Sequence, residues 1–212
     1  NNGQVHLGAD TGFHINRIIS LMEAQQNNVE YPYLFWNQNY NFGYPTPIFY
    51  CNLFLYWPAA LLTDGMLPVL VYKKYVFGLV WIATMMIGLC SYKVSKRSGY
   101  AAILAMLLFM LNTHSITDIL RRGGLGELLA LVFIPICLAG IYQTMYKDSR
   151  RWIWLAVGYC GLVLSHNISF ILMCIVFAVF ALINMKKLWR EKIRILNILQ
   201  AILAALACAW FF

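Results

Sequence analysis

The sequence predicts an all-α protein, a polytopic transmembrane helix bundle with surface helices in a long outer loop. Three observations carry that prediction. The 212 residues are 61% hydrophobic and only 11% charged, with a mean hydropathy of +0.66, whereas about 25% of a soluble domain is charged. Apolar runs of near-spanning length recur along the chain. Clusters of Lys and Arg separate them in every second connection. Backbone inside lipid must satisfy its own hydrogen bonds, which favours helices as the spanning element. The chain starts at Asn1 without a methionine and stops at Phe212 inside an apolar run, so it is expected to continue at both ends.

Residues 1–74 read as one outer loop with its own structure. Asp10 or Thr11 is placed to cap a helix reaching about Gln26. Ile15, Ile18, Ile19 and Met22 give that helix one apolar face. Asp10, His14 and Arg17 fall near another, as in an amphipathic helix on a membrane surface. The next stretch, "YPYLFWNQNYNFGYPTPIFY", is rich in Tyr, Trp, Asn, Gly and Pro, a composition suited to the membrane interface. Residues 48–62 are apolar but short and contain Pro58, so they read as a second surface or re-entrant helix.

Residues 75–212 are expected to hold six transmembrane helices: roughly 75–92, 99–114, 125–146, 152–167, 168–185 and 195–212. Lys93, Lys96 and Arg97 follow the first. Lys147, Arg150 and Arg151 follow the third. Lys186, Lys187, Arg190, Lys192 and Arg194 precede the last. Alternate loops share a side, and the side rich in Lys and Arg is cytoplasmic. The net charge of +8 is thereby explained as anchoring, and the pattern lacks the basic and aromatic interleaving of a nucleic-acid groove. The opposite side collects all four histidines (His6, His14, His114, His166). It also collects six of the eight acids: Asp10, Glu23, Glu30, Asp64, Asp118 and Glu127. The six cysteines lie in or beside apolar runs without a CxxC, as small packing residues do.

Three constellations on that side can carry chemistry. Asp10, His14 and Arg17 fit a carboxylate base or metal ligand tuned by basic neighbours, but on capping preference they fit a helix cap with a solvated face better. In "HSITDILRRGGLGE", His114, Asp118 and Arg121 or Arg122 are spaced to share a helical face, and three glycines precede Glu127. Arginine forks match phosphate oxygens, and a glycine-rich turn lets N–H groups approach an anion. A structural Asp–Arg or Glu–Arg pair closing the loop is the alternative. Ser165, His166 and Asn167 form a tight turn that lines a cavity or is simply a satisfied polar turn. No P-loop, GxGxxG, HExxH or GxSxG is present.

Together, "GADTGFHINRI", "GYPTPIFYCNLFLYWPAALL", "DILRRGGLGELLALVFIPICLAG" and "LSHNIS" resemble the bacterial polytopic membrane proteins labelled pyruvoyl-tetrahydropterin-synthase-related, which group with the GT-C superfamily of membrane glycosyltransferases. The resemblance implies a GT-C-like bundle in a bacterial plasma membrane, its site facing outward. It further implies a sugar donor linked to polyprenyl phosphate. Asp10, His14, Glu127 and His166 would then be catalytic. Arg17, Arg121 and Arg122 would bind the donor phosphate. Asp10 would deprotonate the acceptor or hold a divalent cation such as Mg or Mn. The competing expectation is a non-catalytic lipid or polysaccharide transporter or assembly protein, whose arginines bind anionic lipid without chemistry.

Overall fold

The computed structural model describes residues 8–209, and within them the chain is helical, with one isolated β-bridge between Phe35 and Tyr44. Helix α1 spans Thr11–Gln26. A long irregular stretch holds the single turn α2 (Thr46–Phe49) and a 3₁₀ turn at Leu53–Leu55. Helix α3 (Tyr56–Thr63) follows. Pro58 is tolerated there because it falls in the first turn, where its missing N–H has no intrahelical partner to lose.

Helix α4 runs over Pro68–Val94, starting seven residues before the sequence pattern predicts. Leu67 is extended, as a residue before proline prefers, and Pro68 sits in the first turn, where its fixed φ suits a helix start. The exposed Lys73 and Lys74 therefore lie within α4. Helix α5 (Gly99–Met110) is capped by Ser98. Helix α6 (Thr113–Thr117) leads into one turn of π-helix, Asp118–Arg122. Next come α7 (Leu125–Tyr146), α8 (Ile153–Val163), α9 (Asn167–Ile183), α10 (Met185–Arg190) and α11 (Lys192–Ala209).

Three of these helices, α4, α7 and α11, are long and apolar enough to cross a membrane, where six spans are expected from the sequence. A fourth results if α5 and residues 113–122 are one span bent by 42°. The remaining two expected spans correspond to α8, of 11 residues, and α9, of 17. Leu164–His166 leave the helical path where His166 caps α9, at the tight turn expected there, and α8 begins only at Ile153, after a 3₁₀ turn over Ser149–Arg151.

That register is fixed by glycines. A Cβ on Gly140 would stand 2.5 Å from the Leu155 nitrogen, one on Gly158 2.6 Å from the Cys137 nitrogen, and one on Gly161 2.0 Å from the Phe133 ring. Helices α7 and α8 thus pack antiparallel at backbone distance, in the manner of small-residue seams between membrane helices.

The helices have two chemically different ends. At one, Lys93 lies 4.6 Å over the Trp154 ring. Arg194 donates to the carbonyls of Thr144 at 2.6 Å and Lys147 at 3.1 Å, and to Glu191 at 2.7 Å. The Asn184 amide donates to the Tyr146 hydroxyl at 2.9 Å. The three basic clusters therefore converge, with Arg194 capping the last carbonyls of α7 rather than facing solvent as an anchor. At the other end α1, the π-turn and the starts of α4, α7 and α9 meet. A 22-residue α7 separates the two ends by about 33 Å.

Helix α1 does not lie apart on a surface. Ile15, Ile18 and Leu21 join Leu55, Ala59 and Leu62, then Val71 and Tyr75 of α4, in one apolar core. The expected solvated face of α1 is covered as well. His14 and Arg17 are buried at 5% and 4% exposure, because residues 46–55 fold over them.

Candidate functional site

The second end is organised by a backbone clasp. The amide of Ala9 donates to the Arg121 carbonyl at 3.2 Å, and that of Asp10 to the Arg122 carbonyl at 2.8 Å. The start of α1 is thereby bonded to the "RRGG" turn. Two glycines permit the approach. A Cβ on Gly8 would meet the Arg121 carbonyl oxygen at 2.8 Å. Gly123 has φ +71°, in the left-handed region, and a Cβ there would stand 2.1 Å from the Thr11 hydroxyl oxygen. The π-turn closes through the Gly123 amide, which donates to the Asp118 carbonyl at 2.7 Å. Single π-turns inside helices are frequent at functional sites.

Arg122 is the hub. Its Nη1 and Nη2 donate to Glu127 Oε2 and Oε1 at 3.0 and 2.9 Å, a two-pronged pair. Its Nη1 also lies 3.3 Å from Asp118 Oδ1, a charge contact without hydrogen-bond alignment, since that oxygen is buried without a hydrogen-bond partner. Asp118 is 3% exposed. Burial, and then the neighbouring Glu127 carboxylate, push its pKa up to about 6 against the opposing pull of Arg122 and His114. Two carboxyl groups thus share one guanidinium. The His114 ring adds a contact to Glu127 at 3.9 Å. The pKa of Arg122 is raised by its bond to Glu127 and by the charges of Glu127, Asp118 and, most weakly, Asp10.

His166 joins from the far side of α7. Its ring lies beside Gly126, within 3.2 Å of where a Cβ would be. Its Nδ1 lies 2.8 Å from the Ser169 hydroxyl and 3.4 Å from the Ser169 amide, so the ring caps α9. Burial lowers its pKa, Glu127 opposes that and Arg122 adds to it. Asp10 occupies the N-cap of α1, yet its side chain makes no capping bond and the residue is exposed. The capping alternative thus leaves its carboxylate unused. Asp10, the Arg122–Glu127 pair and His166, far apart in sequence, are brought to one end of the molecule. Arg121 is exposed beside them, and its carbonyl belongs to the clasp.

Two expected site residues stand elsewhere. Arg17 donates through Nη2 to the Cys51 carbonyl at 3.1 Å and to Asn52 Oδ1 at 2.8 Å, and its Nη1 lies 3.2 Å from His14 Nδ1. The guanidinium is also 5.0 Å from the Tyr50 ring centre. Burial brings its pKa down to about 10. His14 is driven down to about 3 by burial first and by Arg17 second, so its ring is neutral and accepts from Arg17. His14 and Arg17 form an interior tie between α1 and residues 50–52 and do not face a donor phosphate. His6 lies outside the described residues.

Asp118 is the member that spacing alone under-rated. Its i,i+4 step to Arg122 is visible in the sequence, whereas its burial under Gly124 follows from the π-turn. Among the described residues, no group of three or more His, Cys, Asp or Glu side chains is placed to hold a metal ion. Comparison with family models, curated proteins and solved structures finds no match.

Proposed function

We propose that this chain acts as a GT-C-like membrane glycosyltransferase that takes a sugar from a polyprenyl-phosphate donor at the end carrying Asp10, Arg122, Glu127 and His166. The observation that carries the reading is their convergence at the end opposite the three basic clusters. By the charge rule for membrane loops the basic end is cytoplasmic, so the site faces outward across the membrane.

In this reading Glu127 holds the Arg122 fork ready, and the donor phosphate takes over one or both of its prongs. Arg121 supplies further positive charge, and Asp10 accepts the proton of the attacking hydroxyl. A positioned general base contributes about 10²–10⁴-fold in rate. The test is transfer of labelled sugar from polyprenyl phosphate in proteoliposomes, paired with donor-lipid binding. Asp10→Asn should cut turnover by about that factor and leave donor binding intact. Arg122→Ala should weaken binding, with only partial rescue by lysine, whose point charge lacks the fork. Glu127→Gln should free the fork and tighten donor binding. Normal transfer by Asp10→Asn would remove the enzyme reading. The second reading, a lipid-binding transporter or assembly protein, is favoured by one observation: the Arg122 fork is already filled by Glu127. Dependence of lipid binding on Arg122 together with indifference to Asp10 would select it.

A further inference from the structure

A second polar region lies along α1, beyond the clasp. A cavity of about 320 Å³ is lined by Phe13, Asn16, Ser20, Asn37, Gln38 and Asn39. A neighbouring one of about 310 Å³ shares Ser20 and Asn37, and adds Tyr31, Tyr33, Trp36 and Glu23. The two adjoin at the Ser20–Asn37 pair, and their linings run beside α1 from Phe13 to Ala24, about 16 Å at 1.5 Å per residue. Each is at the lower end of the range of small-molecule sites, about 300–1,000 Å³.

The walls are built and not simply loose. The Ser20 hydroxyl donates to Asn37 Oδ1 at 2.6 Å, Gln38 Nε2 donates to Ser20 at 3.2 Å, and the Thr46 hydroxyl donates to Gln38 Oε1 at 2.5 Å. Phe35, 1% exposed, anchors the loop through paired backbone bonds with Tyr44 at 3.0 and 3.1 Å. Asn39, Tyr40 and Asn41 all have positive φ, of 54°, 57° and 67°. Non-glycine residues stay there only when their surroundings fix them, and such positions cluster at binding sites.

The chemistry of the lining selects the ligand. Amides present donors and acceptors side by side, matching the hydroxyls of a sugar ring. The exposed Tyr31, Tyr33 and Trp36 offer rigid amphipathic surfaces to the C–H face of such a ring. A surface for anionic lipid would carry Lys or Arg, yet residues 18–72 contain neither. We propose that this track binds a neutral oligosaccharide or polysaccharide chain, extended along α1 through several sugar units. Asn16 is six residues from Asp10, about 9 Å along the helix, so the chain end can reach the clasp. Naming that saccharide as the acceptor rests on the glycosyltransferase reading, whereas its binding does not.

The test is saturation-transfer NMR with the full chain in phosphatidylcholine nanodiscs, using maltotetraose, cellotetraose and N-acetylchitotetraose as probes. Transfer to at least one is expected. Asn16→Ala and Trp36→Ala, both exposed substitutions, should weaken it about three- to tenfold, in line with loss of one hydrogen bond or one stacking surface. Lys186→Gln at the opposite end should leave it unchanged. Helicity by circular dichroism confirms that each variant is folded. No transfer to any of the three probes overturns the proposal. So does transfer insensitive to both substitutions, or displacement of the sugar by short-chain phosphatidylglycerol. Saccharide binding without sugar transfer in the proteoliposome assay would keep the site and remove the enzyme reading, so the two failures are separable.

Discussion

Replacing Gly123 with alanine tests the clasp on which the site depends. Two costs act together. The left-handed backbone at φ +71° disfavours an L side chain by about 1–2 kcal/mol. The new methyl would lie 2.1 Å from the Thr11 hydroxyl oxygen and 3.0 Å from the Thr11 nitrogen, and relieving such overpacking costs about 1–3 kcal/mol. Against that total of about 2–5 kcal/mol stand the two clasp hydrogen bonds from Ala9 and Asp10, together about 1–3 kcal/mol net. The strain matches or exceeds what holds the contact closed. The expected result is that the start of α1 lifts off the turn while the α7–α8 seam stays packed. Hydrogen exchange of the Asp10 amide should accelerate at least about tenfold, the factor for 1.4 kcal/mol.

Two companions divide the effect into its parts. Thr11→Ala in the Gly123→Ala background removes the hydroxyl and should restore part of the protection, leaving the backbone cost. Gly65 also has a positive φ, +82°, but nothing lies within 4 Å of its Cβ position. Gly65→Ala should therefore lower stability by about 1–2 kcal/mol without changing exchange at Asp10. Wild-type exchange at Asp10 in Gly123→Ala would refute the clasp, and with it the argument that Asp10 is positioned by Arg122.

Two further outcomes follow from the charged groups. Asp118, raised to about 6, takes up a proton on folding, so it favours the fold most below its unfolded pKa, and that contribution is lost as pH rises from about 4 to about 6. His14, lowered to about 3, does the reverse: the fold loses stability as pH falls through the window from about 6.5 toward 3. The two contributions oppose each other, so chemical denaturation should show Asp118→Asn more acid-sensitive than the parent and His14→Asn less so; identical pH profiles would contradict both assignments. At the basic end, Arg194→Ala leaves the buried Thr144 carbonyl and the partly buried Lys147 carbonyl without their donor and should destabilise by about 1–3 kcal/mol in thermal unfolding, whereas Arg190→Ala, exposed on α10, should be nearly silent.

What the sequence makes legible divides along physical lines. Helical class, the apolar face of α1 and the shared side of the three basic clusters rest on composition and periodicity, which act locally. Convergence of the basic clusters needs only that alternate connections return to one end. The number of spanning helices is less legible, because length depends on where a helix stops. The turn at Ser165–Asn167 is read from the sequence, whereas the ends of the helices beside it, Val163 and Asn167, depend on local bonds such as the His166 cap, which have no hydropathy signature. The early start of α4 is legible in principle, since Leu67-Pro68 marks it.

The arginines show where pattern reading reaches its end. Arg17 and Arg122 have the same chemistry, and each is three or four residues from a candidate partner, His14 or Asp118. Spacing cannot separate them. The structure does so through what covers each one. Residues 50–52 enclose Arg17, leaving its charge bonded to a carbonyl, an amide oxygen, a neutral histidine and a tyrosine face. All of these are fixed dipoles or π surfaces, so among the described residues Arg17 has no carboxylate to exchange, and at 4% exposure it is closed off from solvent. Arg122 is half exposed and held by two carboxylates, one of which is close enough to neutral pH to change its charge. A guanidinium held by displaceable charges at the surface can trade partners with an incoming anion, and one locked among buried dipoles cannot. That difference, created by the 46–55 segment and the π-turn, leaves Arg17 to architecture and makes Arg122 the residue on which the proposed ligand chemistry rests.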